Sequence, residues 1–246
     1  MRRTAIVTGG GYGIGRAVAE HLLAQDMEVV ITGRRAEILE RTAAELGPLV
    51  TPLAFDASDP AAVEAALPQL PDRVDVLVNN AGGATEYDHA MPPREQLKEL
   101  REAWLRNIDA NLMTAVLMTS ALEPRIPDGG SIVVIGSIAA RGFGASGYGY
   151  GPAKAALEPW ATDLAHELGA RGISVNVVSP GFTVSNDRAR DFVASGDASP
   201  LIESGATKRA TEVDDVAAMV AFLTTPAAAQ TTGQTIHVNG GTHLGR

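Results

Sequence analysis

The feature that most constrains this chain's fold is an alternation. Short, nearly unbroken runs of Val, Ile and Leu are separated by amphipathic helical stretches. The runs are Thr4–Val7, Glu28–Thr32, Leu49–Phe55, Val74–Val78, Ser131–Ile135, Ile173–Val178 and Thr235–Val238. Strands covered on both faces read this way, whereas half-exposed strands alternate apolar with polar residues. Between the runs, Ile14, Ala17, Val18 and Leu22 make one helical face. Val216, Met219, Val220 and Leu223 make another, preceded by Thr211 and Asp214 at capping-box spacing. Strand–helix alternation of this kind predicts an α/β fold: one doubly wound parallel sheet of about seven strands flanked by helices. No linker, repeat or low-complexity tract interrupts it, so residues 1–246 are expected to form a single domain. The one long stretch without periodicity, 182–209, is rich in Gly, Ser, Asp and Arg. A loop of that length in a compact domain is expected to act as a lid over a substrate.

Bulk properties exclude several functions. The net charge is −9 with no basic block, which argues against nucleic acid, whose binding needs clustered Lys and Arg. With no cysteine there is no disulfide, thiolate metal site or redox thiol. Arg2-Arg3 ahead of an apolar run looks like the start of a secretory leader, but the run ends at Thr8-Gly9, too short for one. No stretch is long and apolar enough to span a bilayer. The expectation is a cytoplasmic protein with no membrane partner. None of the five histidines has metal-ligand spacing, so no metal is expected. His89 and His243 stand where they could approach a substrate.

Between the first strand and first helix lies Thr8-Gly9-Gly10-Gly11-Tyr12-Gly13-Ile14-Gly15. Glycines there permit a tight turn and close approach of backbone N–H groups to a pyrophosphate, while the helix N-terminus adds partial positive charge. This placement makes the sheet Rossmann-type and predicts a dinucleotide cofactor. The second strand ends Thr32-Gly33-Arg34-Arg35. A carboxylate at this point would bind the ribose hydroxyls of NAD, and none is present. Arg34 or Arg35 could instead form charge-assisted bonds to a 2′-phosphate, which points to NADP, with NAD as the alternative.

Tyr150 and Lys154 lie four residues apart, one turn on a helix, and Ser137 closes the strand-like run upstream. Free tyrosine, with a pKa near 10, is a weak base at neutral pH. An ammonium about 4 Å away, at an effective dielectric near 20, stabilises a phenolate by about 4 kcal/mol, enough to make the pair an acid/base device. Ser137 can donate a hydrogen bond to a substrate oxygen. Pro152 fits only the first turn of a helix, so that helix is expected to start near Tyr150. Tyr148, four residues before Pro152, is a decoy. Pro159 should remove one backbone bond and bend the helix.

Taken together, these residues resemble the short-chain dehydrogenase/reductase family along nearly the whole chain, with similarity to its 3-oxoacyl-carrier reductases. The resemblance implies that Gly9, Tyr12, Gly13, Ile14 and Gly15 form the cofactor loop, and that Asp56 and Ala57 contact the adenine. It makes Asn79-Asn80-Ala81-Gly82 the motif ending strand four, with Asn80, Ala81 and Gly82 at the cofactor. Trp104 and Asn111-Leu112 follow the pattern of the fourth helix, where the asparagine holds a relay water for the lysine. Ser137, Tyr150 and Lys154 fall at the catalytic spacing, Tyr150 and Lys154 also touching the cofactor. Pro180, Gly181, Thr183 and Ser185 resemble the turn facing the nicotinamide, Ser185 standing where a threonine is frequent. Tyr12 occupies a position where NADP-preferring relatives often carry a basic residue, which counts against NADP. The implied activity is hydride transfer between NADPH and a ketone or secondary alcohol. An NAD-linked alcohol, sugar or steroid dehydrogenase and a non-catalytic nucleotide-binding regulator are the competing readings. The expected substrate walls are 83–91, 139–147 and the 182–208 segment. A homotetramer or homodimer is implied by family alone.

Overall fold

The computed structural model describes residues 2–85, 89, 92–142 and 149–245. Tyr148 and the parts of the expected substrate walls at 86–88, 90–91 and 143–147 lie outside these residues.

Seven parallel strands form one sheet: β1 (Thr4–Thr8), β2 (Glu28–Gly33), β3 (Val50–Ala54), β4 (Val76–Asn79), β5 (Ser131–Ile135), β6 (Ser174–Pro180) and β9 (Thr235–Val238). Their order is β3-β2-β1-β4-β5-β6-β9, so the chain reverses direction between β1 and β4. In such sheets the ligand crevice opens at that switch point, beyond the carboxyl ends of the strands. The expected fold class and strand set are both found, with boundaries shifted by at most two residues.

Helices α1 (Gly13–Leu23), α2 (Ala36–Leu46) and α9 (Val213–Leu223) cover or flank one face of the sheet. Helices α3 (Pro60–Ala66), α5 (Thr114–Leu122) and α6 (Tyr150–Leu168) cover the other. Alternate strand residues feed the two cores: Ala5 and Val7 of β1 face α1 and α9, and Ile6 faces the opposite side. α4 (Leu97–Ile108) runs into α5 through a π-helical turn, Asp109–Met113.

The stretch 182–209 is not an irregular loop. It holds a short strand β7 (Thr183–Val184) and two helices, α7 (Asp187–Ala194) and α8 (Ser199–Ser204), and β7 pairs with β8 (Thr211–Glu212) just beyond it. One local expectation is corrected. The capping box of α9 belongs to Glu212 and Asp215, one residue later than Thr211 and Asp214, because Thr211 is committed to β8. Pro159 lies inside α6, on its exposed side, where its missing N–H faces solvent.

Candidate active site

The glycine loop leaves β1 with Gly9 and Gly13 at φ of 65° and 57°, the left-handed region that favours glycine. A Cβ on Gly15 would collide with the carbonyl oxygen of Gly9, and one on Gly13 would sit 2.7 Å from that of Ser185. Helix α1 starts at Gly13 with Tyr12 as N-cap, no side-chain cap and no acidic residue in its first turn. Its leading N–H groups and the positive end of its dipole therefore face the crevice.

The neighbouring wall is held by one hydroxyl. Thr8 Oγ1 accepts from the N–H groups of Asn80 and Ala81 at 3.0 and 2.9 Å and donates to Val78 O. Asn80 Nδ2 donates to the carbonyls of Thr8 and Gly9, tying the exits of β1 and β4 together across the switch point. Beyond β3, Asp56 accepts from Ser58 N–H and Oγ, and Ala57 is buried. At the end of β2, Arg34 and Arg35 are exposed. The Arg35 guanidinium lies over the Tyr12 ring, 4.8 Å from its centroid.

The polar trio is assembled from β5 and α6. Ser137 caps the 3-10 turn Ile138–Arg141, accepting from Ala139 N–H at 3.1 Å. That acceptor bond orients Oγ and leaves its proton for donation. Tyr150 is the first residue of α6, half-buried, with Gly149 at φ 104° as N-cap. Gly149 packs against the backbone of Trp104, with room for no more than a glycine in comfort: a Cβ there would meet Trp104 Cα at 3.3 Å. Lys154 follows one turn later, only 4% exposed, and Nζ donates to Ile135 O at 2.8 Å. Removal of its ammonium from water pushes its pKa down to about 8.

Asn111 sits on the π turn, a feature that often marks functional positions because the extra residue re-aims a side chain. Its Oδ1 accepts from Gly83 N–H at 2.8 Å, and Nδ2 donates to Gly83 O and Asn107 O, both at 3.0 Å. Both amide protons are thus engaged by backbone, leaving one lone pair of Oδ1 for a further donor. A Cβ on Gly82 would lie 2.7 Å from Asn111 Oδ1 and 3.3 Å from Lys154 Nζ, so that glycine brings the amide and the ammonium to one gap.

The turn after β6 closes the crevice. Gly181 N–H donates to Val238 O at 2.9 Å, and Thr183 Oγ1 donates to Gly181 O. Ser185 follows with its carbonyl against Gly13, which brings the segment after β6 onto the glycine loop. The Phe182 ring meets Phe192 of α7 edge-on at 5.8 Å. His243 packs its ring on His237 at 4.7 Å, and His89 is exposed. Among the described residues no group of His, Asp and Glu is placed to hold a metal, and no helix is long and apolar enough to cross a membrane.

Sequence reasoning overlooked three positions. Thr8 was legible as part of the loop but not as the bridge to β4. Thr114 shares its hydroxyl proton between Ala81 O and Ala110 O. Asn107, one turn before Asn111 and 1% exposed, accepts from Thr85 N–H at 3.3 Å and steadies the loop after β4. An asparagine repeated at i and i+4 was the available signal for it.

Comparison with known proteins agrees with this geometry. Residues 9–243 match the family described as enoyl-(acyl carrier protein) reductase. The chain is 33% identical over 250 residues to the 3-oxoacyl-[acyl-carrier-protein] reductase FabG of Salmonella typhimurium, covering 98% of each. It belongs to the short-chain dehydrogenase/reductase family. Among solved members, the short-chain dehydrogenase/reductase from Brucella melitensis, titled a glucose/ribitol dehydrogenase, superposes with a TM-score of 0.87 at 29% identity over 99% of this chain and 100% of that one. A blue fluorescent protein from a metagenomic library, solved in complex with NADPH, gives 0.84 at 31% identity over 98% of each. This short-chain dehydrogenase/reductase is therefore an oxidoreductase acting between CH–OH and carbonyl groups with a nicotinamide dinucleotide. Its residues fit such a cofactor: the uncapped α1 N-terminus, and glycines whose replacement would fill the cradle, leave donors and space where a pyrophosphate needs them.

Proposed function

We propose that this enzyme is an NADPH-dependent ketone reductase, able to run in reverse on the secondary alcohol, with Ser137, Tyr150, Lys154 and Asn111 as its working residues. The observation that carries the reading is the buried Lys154, fixed by Ile135 O one turn after Tyr150 and brought to the same gap as Asn111 by Gly82. Bound NADPH supplies the hydride that forms the new C–H bond. Ser137 donates a hydrogen bond to the ketone oxygen and polarises the carbonyl. Tyr150 gives its phenolic proton to that oxygen as the alcohol forms. Lys154 holds its charge beside the phenol, which favours proton release, then passes a proton to the tyrosinate and regains it from a water bound at the second lone pair of Asn111 Oδ1. In the oxidative direction Tyr150 takes the proton back.

In this reading Gly9, Gly13, Ile14 and Gly15 hold the pyrophosphate. Asp56 and Ala57 line the adenine side, Asn80, Ala81 and Gly82 line the cofactor between there and Lys154, and Arg34 and Arg35 bind the 2′-phosphate. Pro180, Gly181, Thr183 and Ser185 face the nicotinamide, and residues 182–209 are the substrate lid. A 3-oxoacyl-[acyl-carrier-protein], the substrate in the name of the Salmonella relative, and small ketones are the substrates to try. We infer a cytoplasmic homotetramer or homodimer from the family. Parallel fluorescence titration with NADPH and NADH, followed by ketone assays of the wild type and Tyr150→Phe, tests the reading. Tighter NADPH binding, with turnover lost in the variant, supports it. A variant with full activity sinks the catalytic assignment, and tighter NADH binding sinks the cofactor assignment.

A further inference from the structure

We propose that Tyr12 determines cofactor selectivity in this enzyme as an aromatic platform that holds Arg35 at the 2′-phosphate position. The inference rests on the NADPH reading above and assigns a job to a residue that, by sequence, counted against it. Tyrosine brings no positive charge to a loop position where a cation would serve. The structure shows what it brings instead: a ring face beneath a guanidinium, 4.8 Å from centroid to Arg35 Cζ.

Three observations support the assignment. First, the ring is not a core residue. Tyr12 is 50% exposed at the mouth of the crevice, so burial does not explain a large aromatic group between Gly11 and Gly13. Second, both Arg34 and Arg35 are exposed, and among the described residues neither forms an ion pair with a carboxylate within 4 Å. The end of β2 therefore presents uncompensated positive charge where a carboxylate would serve NAD. Third, the two partners stand on a single rigid mount. Gly10 N–H donates to Thr32 O at 3.1 Å, and the buried Thr42 of α2 donates to Gly11 O at 2.7 Å. Gly11 itself packs against Ile38 and Leu39, a Cβ there meeting them at 3.0 and 3.3 Å. The glycine loop and the start of α2 cannot slide past each other, so the Tyr12 ring keeps its place relative to Arg35.

The chemistry follows from the shape of arginine. A guanidinium laid on a ring face is attracted by the ring quadrupole and keeps its in-plane N–H donors free at the edge. Those donors suit a phosphate, which takes two parallel N–H bonds from one arginine. The platform restricts a long exposed side chain before the ligand arrives and so reduces the ordering cost of binding. NADH, which has no 2′-phosphate, gains nothing from it.

The test is a set of dissociation constants for NADPH and NADH, read by fluorescence titration on the wild type, Tyr12→Phe, Tyr12→Ala, Arg35→Ala and the Tyr12→Ala/Arg35→Ala double variant. Tyr12→Phe keeps the ring face and should retain NADPH affinity. Tyr12→Ala should weaken NADPH by about three- to fivefold, the size of an exposed cation–π contact, with NADH unchanged. Arg35→Ala should weaken NADPH by about tenfold or more, and adding Tyr12→Ala should then change little, since the platform has lost its load. Equal weakening of both cofactors by Tyr12→Ala would overturn the proposal, because it would mean that the ring serves the adenosine or the loop itself. Unchanged NADPH binding in Tyr12→Ala, or additive effects in the double variant, would overturn it too. A wild type that prefers NADH removes the NADPH reading along with the inference. A wild type that prefers NADPH with a silent Tyr12 removes the inference alone.

Discussion

The two ends of the cofactor crevice are built by opposite means. At the glycine loop the working parts are backbone N–H groups, and what matters is the absence of side chains: Gly13 and Gly15 leave no space for a Cβ. At the trio the working parts are side chains, and the backbone serves to hold them. Ile135 O anchors Lys154, Ala139 N–H orients Ser137, and Gly83 clamps Asn111. The first end should therefore fail when atoms are added, and the second when functional atoms are removed.

Removal at the trio should produce the largest effect. Tyr150→Phe deletes the proposed proton donor alone and should cut turnover by about 100- to 10,000-fold, the usual worth of general acid–base catalysis. NADPH affinity, set mainly at the other end, should stay within about twofold. Steady-state kinetics beside fluorescence titration checks both, and a large loss of affinity would erase the distinction between the ends.

The pH profile comes next. With its pKa near 8, Lys154 is charged at pH 7 and neutral well above pH 8. Reduction requires the charged form, so kcat/KM in that direction should decline by about tenfold per pH unit above that point. A flat profile to pH 10 would place the lysine outside the proton path.

Addition at the glycine loop should cost stability and affinity together. Gly15→Ala forces a methyl into the Gly9 carbonyl and should destabilise the fold by about 3 kcal/mol while weakening NADPH. Gly169→Ala, where a Cβ meets nothing within 4 Å, is the control and should be neutral. Equal melting temperatures for the two variants would refute the steric argument.

The smallest effect has an unusual sign. The Lys154 pKa is depressed in the folded state, from about 10.4 in the unfolded chain, so stability should rise with pH between about 8 and 10.4. At pH 7 the buried charge costs on the order of 3 kcal/mol, and a side chain without a donor would leave Ile135 O unpaired, which offsets about 1 of it. Lys154→Met should then raise the stability by about 2 kcal/mol while abolishing turnover. A lowered melting temperature at pH 7 would show that the ammonium stabilises the site that holds it.

The sequence carried the sheet and both ends of the crevice because each rests on a strong local signal. Short β-branched runs such as Ile132-Val133-Val134-Ile135, bounded by turn residues, read as doubly covered strands, and Pro152 allows few starting points for α6. Three parts were not legible, for physical reasons. The 182–209 segment has short helices whose polar faces dilute the apolar period, so α7 and α8 passed for loop. The π turn at Asn111 adds one residue to a helix without a Gly or Pro to announce it. The Tyr12–Arg35 contact joins residues on different elements, and no periodicity records such a pair.

The Pro180-Gly181 turn depends on β9. Gly181 N–H bonds to Val238 O, and a Cβ on Gly181 would lie 2.9 Å from Asn239, so the turn seats against a strand made long after it. A chain emerging from the ribosome contains every residue of the trio well before β9 exists. It cannot set the Pro180-Gly181 turn until that strand has crossed back to pair with β6. Completion of this turn thus depends on a distant parallel pairing, a kind of contact that forms slowly, rather than on the local folding of α6.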